Sequence, residues 1–241
     1  MRVRLLAFAT AADALGSERD LDLPFGATVA DLRDLLLADF PALAPLWPRL
    51  AIAIDGRLAR VDEEIPDGAE VALLPPVSGG APEMGPEAAT ETIRAMLTDA
   101  AIDVEAISAA VAGPGRGAIV LFLGTVRNAH AGREVTTLAY SAYRSMAERK
   151  LAEIVADLEA QGTDLRAAIV HRLGEVPVGE PSVIIAVASP HRAEAYEANR
   201  TALERLKAEV PIWKRERYAD GAEVWREEEP LGVESVPPGE P

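Results

Sequence analysis

Cysteine is absent from the 241 residues, which excludes disulfides, thiolate metal sites and cysteine nucleophiles together. Histidine is scarce, and the scatter of His130, His171 and His191 argues against a histidine-rich metal centre. No apolar run approaches the roughly 18 residues a membrane helix needs, and the first residues lack a signal-peptide pattern, so a soluble cytoplasmic protein is expected. Lysine is scarce too: of 24 basic side chains only Lys150, Lys207 and Lys214 are lysines, the rest being arginine. A chain that writes nearly every cation as Arg keeps Lys where an amine is wanted, and an amine, unlike a guanidinium, can lose its proton when partly buried. That reasoning points to Lys207 and Lys214. The 39 acidic side chains bring the net charge to −15, which argues against nucleic-acid binding.

Hydrophobic residues, at 49%, suffice for a sizeable core and exclude wholesale disorder. The clearest break is PPVSGGAPEMGP, Pro75 to Pro86, which reads as a linker between two compact units. Pro230 to Pro241 is acidic and Pro-rich and reads as a disordered tail. The expected organisation is a first unit over 1–80, a linker over 81–90, a second unit over 91–228 and the tail over 229–241.

The first unit reads as strands at Arg2–Phe8 and Arg19–Leu23 joined by a small-residue loop, then a helix opened by a Thr28/Asp31 capping box. Asp55-Gly56 marks a hairpin turn after Ala51–Ile54, and Glu70–Leu74 is a last strand. A small sheet wrapped on one helix and ending in Gly79-Gly80 is the β-grasp plan. The second unit is α+β, with strands expected at Ala118–Val126, Val135–Tyr143, Ala167–Leu173 and Ser182–Ala188. Its helices are expected after Asp103, from Ser145 to Gly162, and from Pro190 to about Glu209, where Pro211 stops the last one.

Four constellations could carry chemistry. Ser189-Pro190-His191-Arg192 reads as a helix start with Ser189 as cap, placing Arg192 and His191 where an acid would normally sit; free amides, Arg and His together suit a phosphate, or both side chains simply reach solvent. Arg127 follows the apolar strand VLFLGTV and marks either a cleft rim, with Gly124 admitting a ligand to the backbone, or a solvated strand end. Arg205 to Arg217 holds five cations against Glu209 and Glu216, a local +3 that suits an anionic small ligand. Gly79-Gly80 serves as an ordinary linker, or as a side-chain-free end able to thread a narrow tunnel.

In combination these pieces resemble molybdopterin synthase, with its two subunits fused in one chain. Residues 1–80 resemble the small, sulfur-carrying subunit through the β-grasp pattern and the ending EVALLPPVSGG. Residues from about 90 to 226 resemble the large, catalytic subunit through GAIVLFLGTVRN, IVHRLGEVPVGE, ASPHRAEAYEA and LKAEVPIWKRE, in that order. The resemblance implies an α+β protein: a ubiquitin-like β-grasp domain followed by an α/β-hammerhead-type domain. It implies transfer of two sulfurs from C-terminal glycine thiocarboxylates to cyclic pyranopterin monophosphate, making the dithiolene of molybdopterin. By the same resemblance Lys207 and Lys214 are catalytic, Arg127, His191 and Arg192 bind substrate, and Gly80, preceded by Gly79, bears sulfur. No cofactor or metal is implied for the step. The implied partners are an adenylating enzyme that loads the carrier and a second copy of the large-subunit domain, with no nucleic acid and no membrane.

The fusion departs from the family pattern, because the Gly80 carboxyl is tied up in an amide with Ala81. Cleavage after Gly80 by a processing protease is therefore expected. The rival reading is a non-catalytic fusion that stores or delivers the carrier, for which Lys207→Ala and Arg192→Ala would be silent.

Overall fold

A computed structural model describes residues 1–76 and 94–226. The first unit contains β1 (Arg2–Ala7), α1 (Ala9–Leu15), β2 (Glu18–Asp22), α2 (Val29–Asp39), β3 (Ala51–Ile54), β4 (Arg57–Leu58) and β5 (Glu70–Leu74). Its sheet runs β2-β1-β5-β3-β4, with β1 and β5 parallel at the centre. This is a ubiquitin-like β-grasp: Val29, Leu32 and Leu36 of α2 pack on Val3, Leu5, Val71 and Leu73 of the central strands. The helix starts at Thr28 because the capping box closes there, Asp31 N donating to Thr28 Oγ1 at 3.3 Å and Thr28 N donating to Asp31 Oδ2 at 2.8 Å. Asp55 (φ +48°) and Gly56 (φ +75°) form the hairpin turn with both residues left-handed, as a two-residue type I′ turn requires.

One expectation fails in this unit. The segment between β1 and β2 is the helix α1, not a loop. Alanine is the strongest helix former, and Ala11 and Leu15, four apart on this helix of about two turns, are buried in the β-grasp core while Ala9 is buried in the cluster with Tyr143 and Trp213.

The second unit contains β6 (Ala95–Thr98), α3 (Val104–Val111), β7 (Ala118–Thr125), β8 (Ala129–His130), β9 (Arg133–Ala142), α4 (Arg144–Ala160), β10 (Arg166–Arg172), β11 (Gly174–Pro177), β12 (Pro181–Ser189), α5 (Arg192–Glu209), β13 (Ile212–Tyr218) and β14 (Glu223–Arg226). One sheet runs β6-β10-β12-β7; a second runs β11-β9-β13-β14, with β8 paired to β9. Helices α4 and α5 cover one face of the first sheet through Leu151, Ile154, Leu158, Ala202 and Leu206, and α3 covers part of the other through Ile107 and Val111. The chain mixes helices and strands throughout, an α+β architecture.

The start of α5 also differs from the sequence reading. Ser189 is buried at the end of β12, held in the ladder opposite Ala118, so its backbone is not free to cap a helix. His191 (φ −127°, ψ 152°) is the N-cap and Arg192 the first helical residue, which puts Glu194 in the first turn. The acid whose absence suggested an anion site is present after all.

The two units are docked on each other within one chain. Phe8 stacks on Trp213 with ring centroids 5.0 Å apart and lies tilted against Tyr143 at 5.5 Å. Ala53, Ala72 and Leu74 of the first unit join Tyr143, Met146 and Trp213 in one buried cluster. The polar ends of these rings are satisfied across the junction: Tyr143 Oη donates to Glu70 Oε1 at 2.8 Å, Trp213 Nε1 to the Pro75 carbonyl at 3.2 Å, and Trp225 Nε1 to Asp13 Oδ2 at 3.0 Å. Arg149 adds a bond to the carbonyl of Gly56 at the hairpin turn.

Removal of the Phe8 ring should loosen this junction more than either unit. For Phe8→Ala the expected outcome is faster deuterium uptake over 72–75 and 212–214, with α2 and β12 protected as before, and a stability loss of about 2–3 kcal/mol. Unchanged exchange at both junction segments would show that the stack does not hold the units together.

Candidate active site

The bend between α5 and β13 brings together what the sequence separates. Lys207 is in the last turn of α5, the chain breaks out of helix at Val210-Pro211, and β13 carries Lys214 back past it. Lys214 pairs directly with Tyr140 of β9. Both lysines, with Arg127 at the end of β7, line one cleft of about 390 Å³ whose other walls include Phe122, His171 and Trp213. Each comes from a different element, so the cleft exists only when both sheets and α5 are assembled.

Arg127 is exposed at the rim, just past the buried Val126 whose N–H donates to the Glu180 carbonyl at 3.1 Å. Gly124 also lines the cleft, but a Cβ there would meet Val183 Cγ1 at 2.6 Å. Packing within the sheet, not ligand approach, accounts for this glycine.

His191 and Arg192 lie elsewhere. Both are exposed at the N-terminal end of α5, and 15 residues of helix place them roughly 22 Å from Lys207 along the axis. They do not line the cleft of their own chain. Gly79 and Gly80, the linker and the Pro-rich tail lie outside the described residues.

The cationic run from Arg205 to Arg217 is largely internal bookkeeping. Arg205 bonds Glu209 and Asp157, Arg215 pairs with Glu223 at 2.9 Å, and Arg217 pairs with Glu175 and Glu223. The other two cations, Lys207 and Lys214, line the cleft. Lys150, the remaining lysine, is buried in α4 and paired with Glu153 at 2.7 Å.

His171 is the residue that sequence reasoning passed over, although it stands inside the quoted segment IVHRLGEVPVGE. It is buried at 5% exposure, forms part of the cleft wall, and sets its ring edge-on to Tyr140 at 4.8 Å. Its Nδ1 lies 2.8 Å from the Arg172 carbonyl, which can only accept, so Nδ1 carries the proton. Burial pushes the imidazole down to about 4; the bond to Arg172 opposes this and the nearby Lys214 charge reinforces it. Among the described residues no group of three or more His, Cys, Asp or Glu is placed to hold a metal ion, and no helix is long and apolar enough to cross a membrane.

Fold and site together define a two-part protein, a β-grasp unit docked beside a cationic cleft in an α+β catalytic unit. The family models agree with that division: the ThiS family matches residues 5–80, and the MoaE protein family matches residues 97–209. The molybdopterin synthase catalytic subunit 1 of Mycobacterium tuberculosis is 46% identical over 127 residues, 53% of this chain and 86% of that protein. The catalytic subunit of Halalkalibacterium halodurans is 42% identical over 148 residues, 61% of this chain and 94% of that protein. Among solved structures, molybdopterin synthase from Staphylococcus aureus superposes with a TM-score of 0.53 at 36% identity, covering 57% of this chain and 98% of that one. The chain belongs to the molybdopterin synthase catalytic-subunit family, enzymes of molybdenum cofactor biosynthesis, and carries a sulfur-carrier-type β-grasp unit ahead of it. With an enzyme family shown, the scaffold reading is set aside.

The lowered His171 value predicts an acid sensitivity with a definite sign. A neutral histidine in the folded chain and a protonated one in the unfolded chain make stability fall as pH drops from about 6.5 towards about 4, by on the order of 3 kcal/mol. His171→Gln should flatten that part of the stability–pH curve, measured by urea unfolding at a series of pH values. A curve with the same slope in both proteins would refute the assignment.

Proposed function

We propose that the chain holds donor and acceptor sites of molybdopterin synthesis in one polypeptide: Gly80 carries sulfur as a thiocarboxylate, and the cleft holds cyclic pyranopterin monophosphate. The observation that carries this reading is the place where the β-grasp unit ends. Trp213, a wall of the cleft, holds the Pro75 carbonyl at 3.2 Å. The Pro75 carbonyl thus stands at the cleft wall, and Gly80 follows Pro76 by four residues, a stretch that spans at most about 14 Å.

In this reading Arg127 and the two lysines supply positive charge to a substrate phosphate and to the thiocarboxylate. In each transfer the thiocarboxylate sulfur forms a bond to a substrate carbon as a carbon–oxygen bond at that carbon breaks; at the carbonyl carbon the oxygen leaves as water, and at the ester carbon it stays on the phosphate. Water then cuts the acyl–sulfur bond, so sulfur stays on the pterin and Gly80 leaves as a carboxylate. Two transfers consume two carriers, with the half-sulfurated intermediate retained, and the cyclic phosphate opens. Lys207 and Lys214 neutralise the developing charge and move protons. The Gly80-Ala81 amide must first be cut, and an adenylating enzyme must activate the freed carboxyl.

A second copy of the chain completes the site. Edge strand β7 exposes Ile119, Leu121 and Leu123, each about two-fifths accessible, on the face that α3 leaves uncovered. Ala118 at one end of β7 pairs with Ser189 next to His191 and Arg192, while Thr125 at the other end leads to Arg127. A two-fold axis crossing the middle of β7 sets the first end of one copy against the second end of its partner. His191 and Arg192 of one copy then face the cleft of the other, which accounts for their absence from their own.

Three measurements test these statements. An intact mass spectrum of the protein from its native host should show fragments ending at Gly80 and starting at Ala81, the smaller with sulfur in place of one oxygen. Uncut chain that sustains transfer with Gly80 blocked would refute the processing step. Lys207→Ala in the cut and loaded enzyme should lower kcat by about 10²-fold or more. Leu121→Asp should turn a dimer into a monomer by sedimentation and abolish turnover with it; a dimer that persists places the two-fold elsewhere.

A further inference from the structure

His171 and Lys214 belong to different sheets yet meet in the cleft. On β13, Lys214 stands directly opposite Tyr140, and the Tyr140 ring stands edge-on to His171 at 4.8 Å, so the three form a continuous row along one wall. The His171 ring is turned so that its Nδ1 edge faces back onto its own strand, donating to the Arg172 carbonyl at 2.8 Å. That bond fixes the tautomer and leaves the lone pair on Nε2, on the edge turned away from the strand. The charged or titratable side chains around it come from three elements: Lys214 on β13, Lys207 on α5 and Arg127 after β7, with Tyr140 on β9 between. Among the described residues all three charged groups are cations, which disfavours a protonated imidazole there. A neutral ring with an acceptor suits the place.

We infer that His171 is a positioning residue for sulfur transfer: its Nε2 accepts a hydrogen bond from the Lys214 ammonium and so fixes the direction in which Lys214 meets the substrate. The inference rests on the cleft being the sulfur-transfer site. A lysine side chain has four rotatable bonds, and an acceptor at the right place holds one proton while the other two point into the cleft. His171 does this without adding charge. Burial supports the same role, since a fully enclosed imidazole stays neutral throughout the physiological range.

Two variants separate this role from packing. His171→Phe keeps a ring against Tyr140 but has no acceptor; His171→Gln keeps an acceptor without the ring. In the cut and sulfur-loaded enzyme, His171→Phe should lower kcat by about tenfold or more with KM little changed, because a hydrogen bond to a charged group is lost. His171→Gln should recover most of that loss. Wild-type kcat in His171→Phe, or equal impairment in both variants, would overturn the inference. A second measurement needs no turnover and no change at His171: nitrogen NMR of the imidazole in the full chain. The expected spectrum has Nδ1 protonated and Nε2 unprotonated near neutral pH, with the Nε2 signal displaced in Lys214→Met. A protonated Nε2, or a signal indifferent to Lys214→Met, overturns it. If the wild-type enzyme itself fails to transfer sulfur, the proposed function falls, and the NMR result still decides the contact.

Discussion

The structure turns on one indole. Trp213 is buried between the two units, with one side stacked on Phe8 of the β-grasp unit and another forming part of the cleft wall. Its N–H is spent on the Pro75 carbonyl, just past the last strand of the β-grasp unit. A single side chain therefore joins the docked β-grasp unit, the end of its last strand and one wall of the cleft. A large apolar ring with one polar edge suits this place, because it can bury area against two partners and still satisfy a backbone acceptor.

Legibility in the sequence followed the range of the interactions involved. The capping box at Thr28 and the Asp55-Gly56 turn are decided within four residues, and the structure forms both as expected. Helix α1 is not legible locally, because small residues read as a loop when the strand partners that bury Ala11 and Leu15 are unknown. The start of α5 was misplaced by two residues for a related reason. Ser189-Pro190 is a strong local signal, but the β12–β7 ladder holds Ser189 in extended backbone. The site divides the same way. Lys207 and Lys214, marked by residue type, and Arg127, marked by its place after an apolar strand and by the family resemblance, converge on one cleft, whereas a lone histidine in an apolar strand such as His171 carries no local sign of what it faces.

Charge tells a similar story at longer range. The run of five cations from Arg205 to Arg217 suggested a strongly positive segment, yet the fold distributes its arginines to carboxylates on α4, α5, β11 and β14. What distinguishes the cleft is not the density of positive charge along the sequence but that, among the described residues, its lining includes Arg127, Lys207 and Lys214 and no carboxylate. In a protein of net charge −15, that local excess of positive charge supports the proposed anionic substrate.

Docking of the carrier and pairing of two catalytic units make no demand on the same surface. The carrier rests on Tyr143, Met146, Trp213 and Trp225, on the side of the β9–β13 sheet. The apolar stripe of Ile119, Leu121 and Leu123 lies on β7, at the far edge of the other sheet. The cleft sits between these two surfaces and is walled by both sheets. A dimer built on β7, as proposed, would thus leave each β-grasp unit seated on its own chain. Under the proposed arrangement Arg127, Lys207 and Lys214 of a cleft come from the chain whose β-grasp unit is docked beside it, while His191 and Arg192 would come from the neighbour.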